Sequence, residues 1–495
     1  MTFALPDEIV LPTHMHIIDG EKDAGGSGGS MPHIYPGNGR QTGALQLAGR
    51  TEVDAAVAAA RRAAPAWRAM TGDKRRNLML ALAALIEQQA GSLALLGSIE
   101  KGEPAMNARH MPASVAQKLR YFAGWADKIQ GHVVNTFGGP SHDYVAYEPY
   151  GVIGGIIPWN GPLYAAVMMM APALAAGNCI ILKAPELAPY TTLRLGELIM
   201  EAGFPAGVVN IVTGGPEVGE AIVAHHDIDK IAFIGSGPTA RKVLRSAAEG
   251  LKPCCLELGG KSAVIVFADA DLPDAARRGL RGAIAANGQG CVNGTRLFVQ
   301  RPVYDQYLDM LAQQAAQVRV GDPFDMGTTL GPVISEAATQ RILGMIETAR
   351  QEGGRILSGG ERLGGDFAEG YFLAPTIIAD LGNKSAIARH EVFGPVLTVT
   401  PFDTEDEVIT LANDTDYGLG GYIHTQSLRR AHNVAAALDA GMIQVNASGE
   451  GMAPCAPFGG MKQSGFGRMG GEAGLKEFLR VKNIWINLAT PAPVA

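Results

Sequence analysis

From Gly151 onward, short apolar runs alternate with stretches of helical periodicity. The apolar runs are VIGGIIP, CIILKAP, VVNIVTG, KIAFIGS and CCLEL, and helical stretches such as TTLRLGELIMEAG and PEVGEAIVAHH lie between them. The same alternation resumes over residues 262–441. This order predicts an α/β fold in which helices cover both faces of a parallel sheet. Ligands of such sheets bind at the carboxyl ends of the strands.

The first 150 residues have a different pattern. Thr51, followed by an acidic first turn, predicts the start of a helix, and helical periodicity continues over 75–96 and 113–129. Segment 132–151, HVVNTFGGPSHDYVAYEPYG, is rich in β-forming residues around a Gly-Gly-Pro turn. It therefore predicts a β-hairpin.

Segment 161–182 is apolar enough to resemble a membrane span. Two prolines and a Gly-Asn pair interrupt it, and no anchoring residues flank it. A buried helix followed by a buried strand explains it better, so no membrane association is expected.

Composition narrows the class of protein. A length of 495 residues leaves room for two or three domains, and a net charge of −7 gives no basic excess for nucleic acid. The five cysteines are few and odd in number, which favours a reducing compartment over a disulfide framework. The N-terminus lacks a signal pattern, so a cytoplasmic location is expected.

One cysteine has an unusual setting. Cys291 lies in NGQGCVNGTR, among glycines and asparagines that would leave space for a reacting carbon. Cys179, Cys254 and Cys255 border apolar strands and are expected in the core. For Cys455, lining a cavity and packing stay open as alternatives.

Three further motifs resemble ligand-binding sites, but their sequence context gives them little support. Residues 235–240, GSGPTA, fit the dinucleotide pattern G-x-G-x-x-A, which is weak alone. Residues 214–219 begin like a phosphate-binding loop, but Glu220 replaces the required lysine and excludes an ATPase. His225 and His226 are adjacent on a helix and have no third ligand near in sequence, so no metal site is expected.

Seven motifs together carry a family resemblance. LELGGKS at 256–262 is followed by GQGC at 288–291, and the others are PWNGP at 158–162, KAPE at 183–186, FIGS at 233–236, EVFGPV at 391–396 and PFGG at 457–460 with Ser464-Gly465. From about residue 50 to 485 the chain resembles the NAD(P)-dependent aldehyde dehydrogenases. The resemblance implies a Rossmann-type coenzyme domain, an α/β catalytic domain and a β bridging region.

The resemblance also implies roles for three residues. Cys291 would attack the aldehyde, the resulting thiohemiacetal would pass hydride to NAD+, and water would hydrolyse the thioester. Asn160 and the backbone N–H of Cys291 would stabilise the oxyanion. Glu257 would be the general base, and its leucine neighbours would raise its pKa by desolvation.

The coenzyme contacts follow in the same way. Lys183 and Glu186 would meet the ribose, and the Glu186 carboxylate would repel a 2′-phosphate, which favours NAD over NADP. Ser236 would meet the pyrophosphate at a helix start. The complete expected set is Pro158, Trp159, Lys183, Glu186, Gly215, Gly235, Ser236, Leu258, Glu391 and Phe393.

Departures from the family pattern concern the substrate pocket. Ile284, Ala286 and Gly290 replace a usual Phe, Asn and larger residue before the cysteine, and Gly161 replaces an aromatic residue common after Asn160. Small side chains also dominate residues 446–456. A wide tunnel and a bulky aromatic or long-chain aldehyde are therefore expected. The predicted pocket comprises Gly161, Tyr164, Met168, Gly290, Val292, Cys455 and Phe458.

The expected domains are a coenzyme domain of residues 1–130 and 150–257, a catalytic domain of 258–475, and a bridging region of 131–149 and 476–495. By resemblance the bridging strands extend a sheet of a neighbouring subunit, giving a homodimer or homotetramer. Ile484-Trp485-Ile486 would otherwise leave an apolar edge uncovered.

Two other functions fit the scaffold. A CoA-acylating or phosphorylating semialdehyde dehydrogenase needs no water-activating base and often lacks the glutamate that this chain has. A non-catalytic binding protein would be expected to lose the thiol, the base or the amide, and all three residues are present.

Overall fold

A computed structural model describes residues 3, 5–6, 9–135, 139–449 and 452–489. Its strands are β1 His16–Ile18, β2 Glu21–Asp23, β3 Ser30–Ile34, β4 Gln41–Gln46, β5 His132–Val134, β6 Ser141–Pro149, β7 Val152–Ile156, β8 Cys179–Pro185, β9 Val209–Gly214, β10 Lys230–Ile234, β11 Cys254–Glu257, β12 Ser262–Val266, β13 Gly294–Gln300, β14 Arg355–Ser358, β15 Thr376–Ala379, β16 Val396–Phe402, β17 Tyr417–Gly418, β18 Gly420–His424, β19 Met442–Val445, β20 Met461–Lys462, β21 Gly465–Phe466 and β22 Leu479–Asn487.

The α-helices are α1 Arg50–Ala69, α2 Gly72–Gln88, α3 Ala90–Lys101, α4 Ala105–Ala108, α5 Met111–Ala123, α6 Pro162–Ala176, α7 Tyr190–Glu201, α8 Pro216–Ala224, α9 Gly237–Glu249, α10 Leu272–Ile284, α11 Tyr304–Ala316, α12 Glu336–Gln351, α13 Ala386–Arg389, α14 Glu405–Asn413, α15 Leu428–Ala437 and α16 Gly471–Lys476. Short 3₁₀ helices span Ala285–Gly288, Arg301–Val303 and Gly365–Phe367.

The first large sheet has the order β2-β1-β9-β8-β7-β10-β11-β21. Its centre, β9 to β11, is parallel, and β1 and β21 join its two sides antiparallel. The five apolar runs after Gly151 form β7 to β11, so the predicted parallel α/β sheet is confirmed. The apolar segment 161–182 forms the buried helix α6 and leads into the buried strand β8, as predicted.

The second large sheet has the order β14-β15-β16-β13-β12-β18-β19 and is parallel except at β14. Separate apolar clusters pack on this sheet and on the first. Residues 465–479 return to the first sheet through β21 and to its apolar core through Leu475 and Phe478. The division of the chain into domains at 257 and 475 stays a prediction.

A third, smaller sheet has the order β22-β6-β5. Strands β5 and β6 pair antiparallel, which confirms the predicted hairpin, although residues 136–138 of its turn lie outside the described residues. β22 pairs along the whole of β6. Val481, Trp485 and Ile486 on β22 are exposed.

Three helix boundaries differ from the sequence prediction. The first helix begins at Arg50, with Gly49 as N-cap, because the Glu52 carboxylate accepts from the Gly49 N–H. The periodicity of 75–96 spans α2 and α3, which meet near Gln89 at a 72° bend. The helix predicted over 113–129 is α5, which ends earlier, at Ala123, where a series of turns begins.

Within the described ranges, no single helix is both long and apolar enough to cross a bilayer, and only the bent pair of α2 and α3 passes by length and composition.

Candidate active site

A strained turn carries Cys291 from α10 toward β13. Ala286, Asn287 and Gly288 have φ angles of 50°, 57° and 76°, in the left-handed region. That conformation costs roughly 1–2 kcal/mol for a residue with a side chain, and a Cβ at Gly288 would collide with the backbone of Gly394. Glycine is therefore required at 288, and the other two positions need compensating contacts.

Asn287 supplies these contacts. Its Nδ2 donates to the carbonyls of Gly102 and Pro332 at 2.9 Å each, and its Oδ1 accepts from the Gly331 N–H at 2.9 Å. The side chain is buried, so three satisfied hydrogen bonds hold the turn against its backbone strain. These contacts fix the path of the backbone that leads to Cys291.

The residues that follow are fixed as well. The Tyr422 hydroxyl donates to the Val292 carbonyl at 2.8 Å, and Asn293 Nδ2 donates to the Ala285 carbonyl at 2.9 Å. A Cβ at Gly290 would collide with the Asn293 side chain, which explains the glycine before the cysteine. Gly290 thus serves the packing of the loop.

Asn160 lies in the turn between β7 and α6 and reaches the cysteine loop. Its Nδ2 donates to the Gln289 carbonyl at 2.8 Å, two residues before Cys291. Its own carbonyl accepts from Lys101 Nζ at 3.2 Å. The side-chain amide is therefore held beside the thiol, as an oxyanion donor must be.

Glu257 ends β11 and is 2% exposed. Neither carboxyl oxygen has a hydrogen-bond partner among the described residues. Burial raises the pKa of Glu257 well above its usual value, and Arg468 opposes that shift only in part. A buried, unpartnered carboxyl with a raised pKa is suited to take up a proton near neutrality.

The thiol is protonated in this environment. Burial, followed by the charges of Glu391 and Glu257, raises the pKa of Cys291 to about 12. The thiol therefore needs a base or a nearby positive charge to become a thiolate.

A cleft of about 670 Å³ opens onto these residues. Its lining includes most of the expected coenzyme contacts together with the three candidate catalytic residues: Pro158, Trp159, Asn160, Gly235, Ser236, Glu257, Leu258, Cys291, Glu391 and Phe393. Trp159 and Phe393 pack edge to face with ring centroids 5.4 Å apart. The volume suits a ligand of dinucleotide size.

The remaining coenzyme candidates lie elsewhere on the first sheet. Lys183 Nζ and Glu186 Oε2 form an ion pair at 2.8 Å where β8 ends, and Gly215 caps the start of α8. These three are absent from the cleft lining in the described part of the chain. Lys183 pairs in register with Ile156 of β7, so it lies at the same carboxyl edge as Asn160.

The predicted substrate pocket is only partly assembled. A Cβ at Gly161 would meet open space, and Tyr164 lies close enough to Cys291 for the thiolate charge, after burial, to raise its pKa to about 12. Met168 instead packs in the core of the first sheet and is 2% exposed.

Two further residues of the predicted pocket, Cys455 and Phe458, lie near the C-terminus. Cys455 is exposed, and Phe458 packs against the first core while its backbone pairs with Met469. Residues 450 and 451 of the small-residue stretch lie outside the described residues.

His225 and His226 stack at the end of α8, and with Asp227 they place three possible ligand atoms within 4.8 Å of one another. His225 contacts Asp54 and accepts from the Asp227 N–H, whereas His226 contacts the Asp227 carboxylate. Each of the three residues therefore has a local partner, and the absence of a metal here stays a prediction.

Sequence reasoning missed Lys101 and Glu103. Their side chains form a buried ion pair, and Lys101 also donates to the Asn160 carbonyl. Gly102 between them accepts from Asn287. Loop 101–103 therefore contacts both the Asn160 turn and the Cys291 turn, a role visible only in three dimensions.

Replacing Lys101 by methionine is expected to lower kcat by roughly tenfold to a hundredfold, because small displacements of an oxyanion donor have effects of this size. Steady-state kinetics should show the fall in kcat with little change in the KM for coenzyme. Lys101→Arg retains an N–H donor and should recover part of the rate. An unchanged kcat in Lys101→Met would contradict the positioning role.

Known proteins resemble this chain over almost its whole length. A family model described as "Aldehyde dehydrogenase family" matches residues 24–484. Betaine aldehyde dehydrogenase of Cereibacter sphaeroides is 39% identical over 479 residues, 96% of this chain and 98% of the relative. Peroxisomal aminoaldehyde dehydrogenase 1 of Pisum sativum is 40% identical over 485 residues, 96% of each chain.

Among solved structures, the NAD+ complex of an aldehyde dehydrogenase from Bacillus cereus superposes with a TM-score of 0.94. It is 39% identical in sequence, and the match covers 97% of each chain.

Proposed function

Since the chain belongs to the aldehyde dehydrogenase family, we propose that it oxidises an aldehyde to the carboxylic acid through a thioester on Cys291. The observation that carries this proposal is the convergence of three groups on one cleft: the Cys291 thiol, the Asn160 amide and the unpartnered Glu257 carboxyl. An acyl transfer to water needs a nucleophile, an oxyanion donor and a base, and these groups supply one of each.

Cys291 attacks the aldehyde carbon and forms a thiohemiacetal. The developing oxyanion is stabilised by the Asn160 Nδ2 and the Cys291 N–H, so Asn160 exchanges its hydrogen bond to Gln289 for one to substrate. Loss of one such donor typically costs about 3 kcal/mol of transition-state stabilisation.

NAD is the coenzyme. Its oxidised form, NAD+, would accept the hydride from the thiohemiacetal. The cleft fits it because glycine-rich residues 235–237 lead into α9, whose N-terminus favours a pyrophosphate. Glu391 and Phe393 line the same cleft, and by the family resemblance they would contact the nicotinamide half. Glu186, held by Lys183, disfavours the 2′-phosphate of NADP.

Glu257 completes the reaction. As a carboxylate it takes a proton from the water that attacks the thioester. In the first step the same carboxylate would accept the proton of the Cys291 thiol. Release of the acid returns the thiol. The glutamate favours water as the acceptor over CoA or phosphate, and retention of all three groups disfavours a non-catalytic role.

The substrate is proposed to be a bulky aromatic or long-chain aldehyde. Support comes from the open space beside Gly161, directly after the oxyanion residue. The names of the relatives mention betaine aldehyde and aminoaldehydes, which are polar, whereas the proposal for this chain rests on the residues around its own Asn160.

A chain-length series tests this preference. Hexanal and benzaldehyde are expected to exceed acetaldehyde in kcat/KM by about tenfold or more, because each added methylene buried in a fitting pocket contributes at least that order. The series is followed through NADH absorbance at fixed, saturating NAD+. A highest kcat/KM for acetaldehyde would contradict a wide tunnel.

The wider setting is proposed on the same basis. A cytoplasmic homodimer or homotetramer would cover the exposed apolar residues of β22, with residues 131–149 and 476–495 as the bridging region beside a coenzyme domain and a catalytic domain. Small-molecule aldehyde is the expected partner, without nucleic acid or membrane.

A further inference from the structure

Lys118 differs from the other buried lysines of the chain. It lies in α5 and is 4% exposed, yet among the described residues no carboxylate forms an ion pair with it and no hydrogen bond holds its ammonium. The other buried lysines have an acidic neighbour: Lys101 with Glu103, Lys183 with Glu186, Lys230 with Glu477, and Lys261 near Glu391.

The Lys118 ammonium lies against Tyr164, a residue close enough to Cys291 to interact with its charge. Lys118 Nζ lies 5.1 Å from the centroid of the Tyr164 ring. Tyr164 is in the first turn of α6, three residues beyond Gly161, and its pKa responds to the Cys291 thiolate. Tyr164 therefore has the lysine near its ring and the thiol near its hydroxyl.

A buried ammonium without a counter-ion is unfavourable. Burial lowers the pKa of Lys118 to about 8, so the group still carries its charge near neutrality. The cation–π contact with Tyr164 offsets only part of the lost hydration. A chain that keeps such a charge beside its reaction site gains most when a ligand brings the matching anion.

Helix α3 packs against α5, and the acids at and just after its C-terminal end have other partners. Glu103 is paired with Lys101, and Glu100 accepts from the backbone N–H and hydroxyl of Thr191. Neither has an ion pair with Lys118. The positive charge is thus left for a group that enters from the substrate side.

We propose that Lys118 binds a carboxylate of the substrate, so that the preferred substrates are aldehydes with an acidic group distal to the carbonyl. This inference rests on the proposed aldehyde oxidation and makes its substrate class narrower. The aldehyde carbon would lie at Cys291, the body of the molecule in the space beside Gly161, and the acid near Lys118. Betaine aldehyde, a quaternary ammonium, would be repelled by the same charge.

Matched pairs of aldehydes test the proposal. 6-Oxohexanoic acid is compared with hexanal, and 4-carboxybenzaldehyde with 4-methylbenzaldehyde, by kcat/KM in the full-length protein with saturating NAD+. The wild type is expected to prefer the acid member by about tenfold or more. Lys118→Met should reduce that acid-to-neutral ratio by at least about tenfold, and Lys118→Arg should retain most of it.

Controls separate charge recognition from stability. Lys128→Met removes an exposed lysine shortly after α5 and should leave the ratio unchanged. The KM for NAD+ of each variant reports an intact coenzyme site. Because the ratio compares two substrates on one variant, partial unfolding cancels.

The outcomes are distinct. Equal kcat/KM for both members of each pair in the wild type, or an equal loss for both in Lys118→Met, would overturn the role of Lys118 while leaving aldehyde oxidation intact. Absence of NADH formation with every aldehyde would instead overturn the proposed function itself.

Discussion

Cys291→Ala is expected to abolish NADH formation, with a fall in kcat of at least about 10⁴-fold. The reason is that the proposed reaction proceeds through a covalent bond to this sulfur, and an alanine offers no nucleophile to replace it. Stopped-flow absorbance with a reactive aldehyde should detect neither a burst nor a steady rate. The three left-handed residues before Cys291 do not depend on the thiol, so the loop is expected to keep its shape.

The matched control is Cys254→Ala, which removes a half-buried thiol in the same protein. It should form NADH at the wild-type rate. If Cys291→Ala formed NADH at more than about a hundredth of the wild-type rate, no covalent thioester on this residue could be the main route.

Glu257→Gln is expected to separate the two halves of the reaction. The amide keeps the shape of the side chain but cannot accept a proton, so hydrolysis should slow by about 10²- to 10⁴-fold, the usual contribution of a general base. If hydride transfer proceeds without this base, NADH will appear as one rapid equivalent per subunit and then almost stop. Loss of the burst as well would show that Glu257 also deprotonates Cys291, and an unchanged steady rate would contradict its role.

The pH dependence follows from the same carboxyl. Because burial raises the pKa of Glu257, its carboxylate form is present above that raised pKa and is lost as the pH falls through it. The steady rate of the wild type should therefore decline on the acid side at a pH well above the ordinary range for a glutamate. In Glu257→Gln this acid limb should disappear from the residual rate.

Much of the fold was accessible from the sequence because its signals are local. The strands β7 to β11 are short apolar runs bounded by turns, and helix α6 is apolar on all sides. The missed boundaries involve contacts that periodicity does not encode. The break near Gln89 interrupts a continuous helical pattern, and the helix start at Gly49 depends on Glu52 together with Ser27, which lies on a distant loop.

The candidate site divides in the same way. Asn160, Glu257 and Cys291 lie in motifs of distinctive composition, at the end of a strand or in a turn between elements, and could be named from the sequence. Tyr422 and loop 101–103 lie far along the chain from Cys291 and have unremarkable neighbours in sequence. Met168 follows Tyr164 by one helical turn, yet the helix turns it into the core, because both faces of α6 are buried.

The proposed role of Lys118 could not be predicted from the sequence, because it depends on the burial of this side chain. In the sequence it is an ordinary lysine of an amphipathic helix, of the kind that usually faces water. Only the packing of α5 against α6 places it beside Tyr164 without an acidic partner. The other buried lysines differ from it in having an acidic neighbour, which the sequence around them does not reveal.

The most direct test of the proposed function is the product balance without an acyl acceptor other than water. Purified protein, NAD+ and an aldehyde are incubated in buffer free of CoA and phosphate, and NADH and carboxylic acid are both quantified. Continuous turnover with one acid formed per NADH is the expected result. Turnover that begins only when CoA or phosphate is added would contradict the account, since the acyl group would then leave to another acceptor and Glu257 would not activate water.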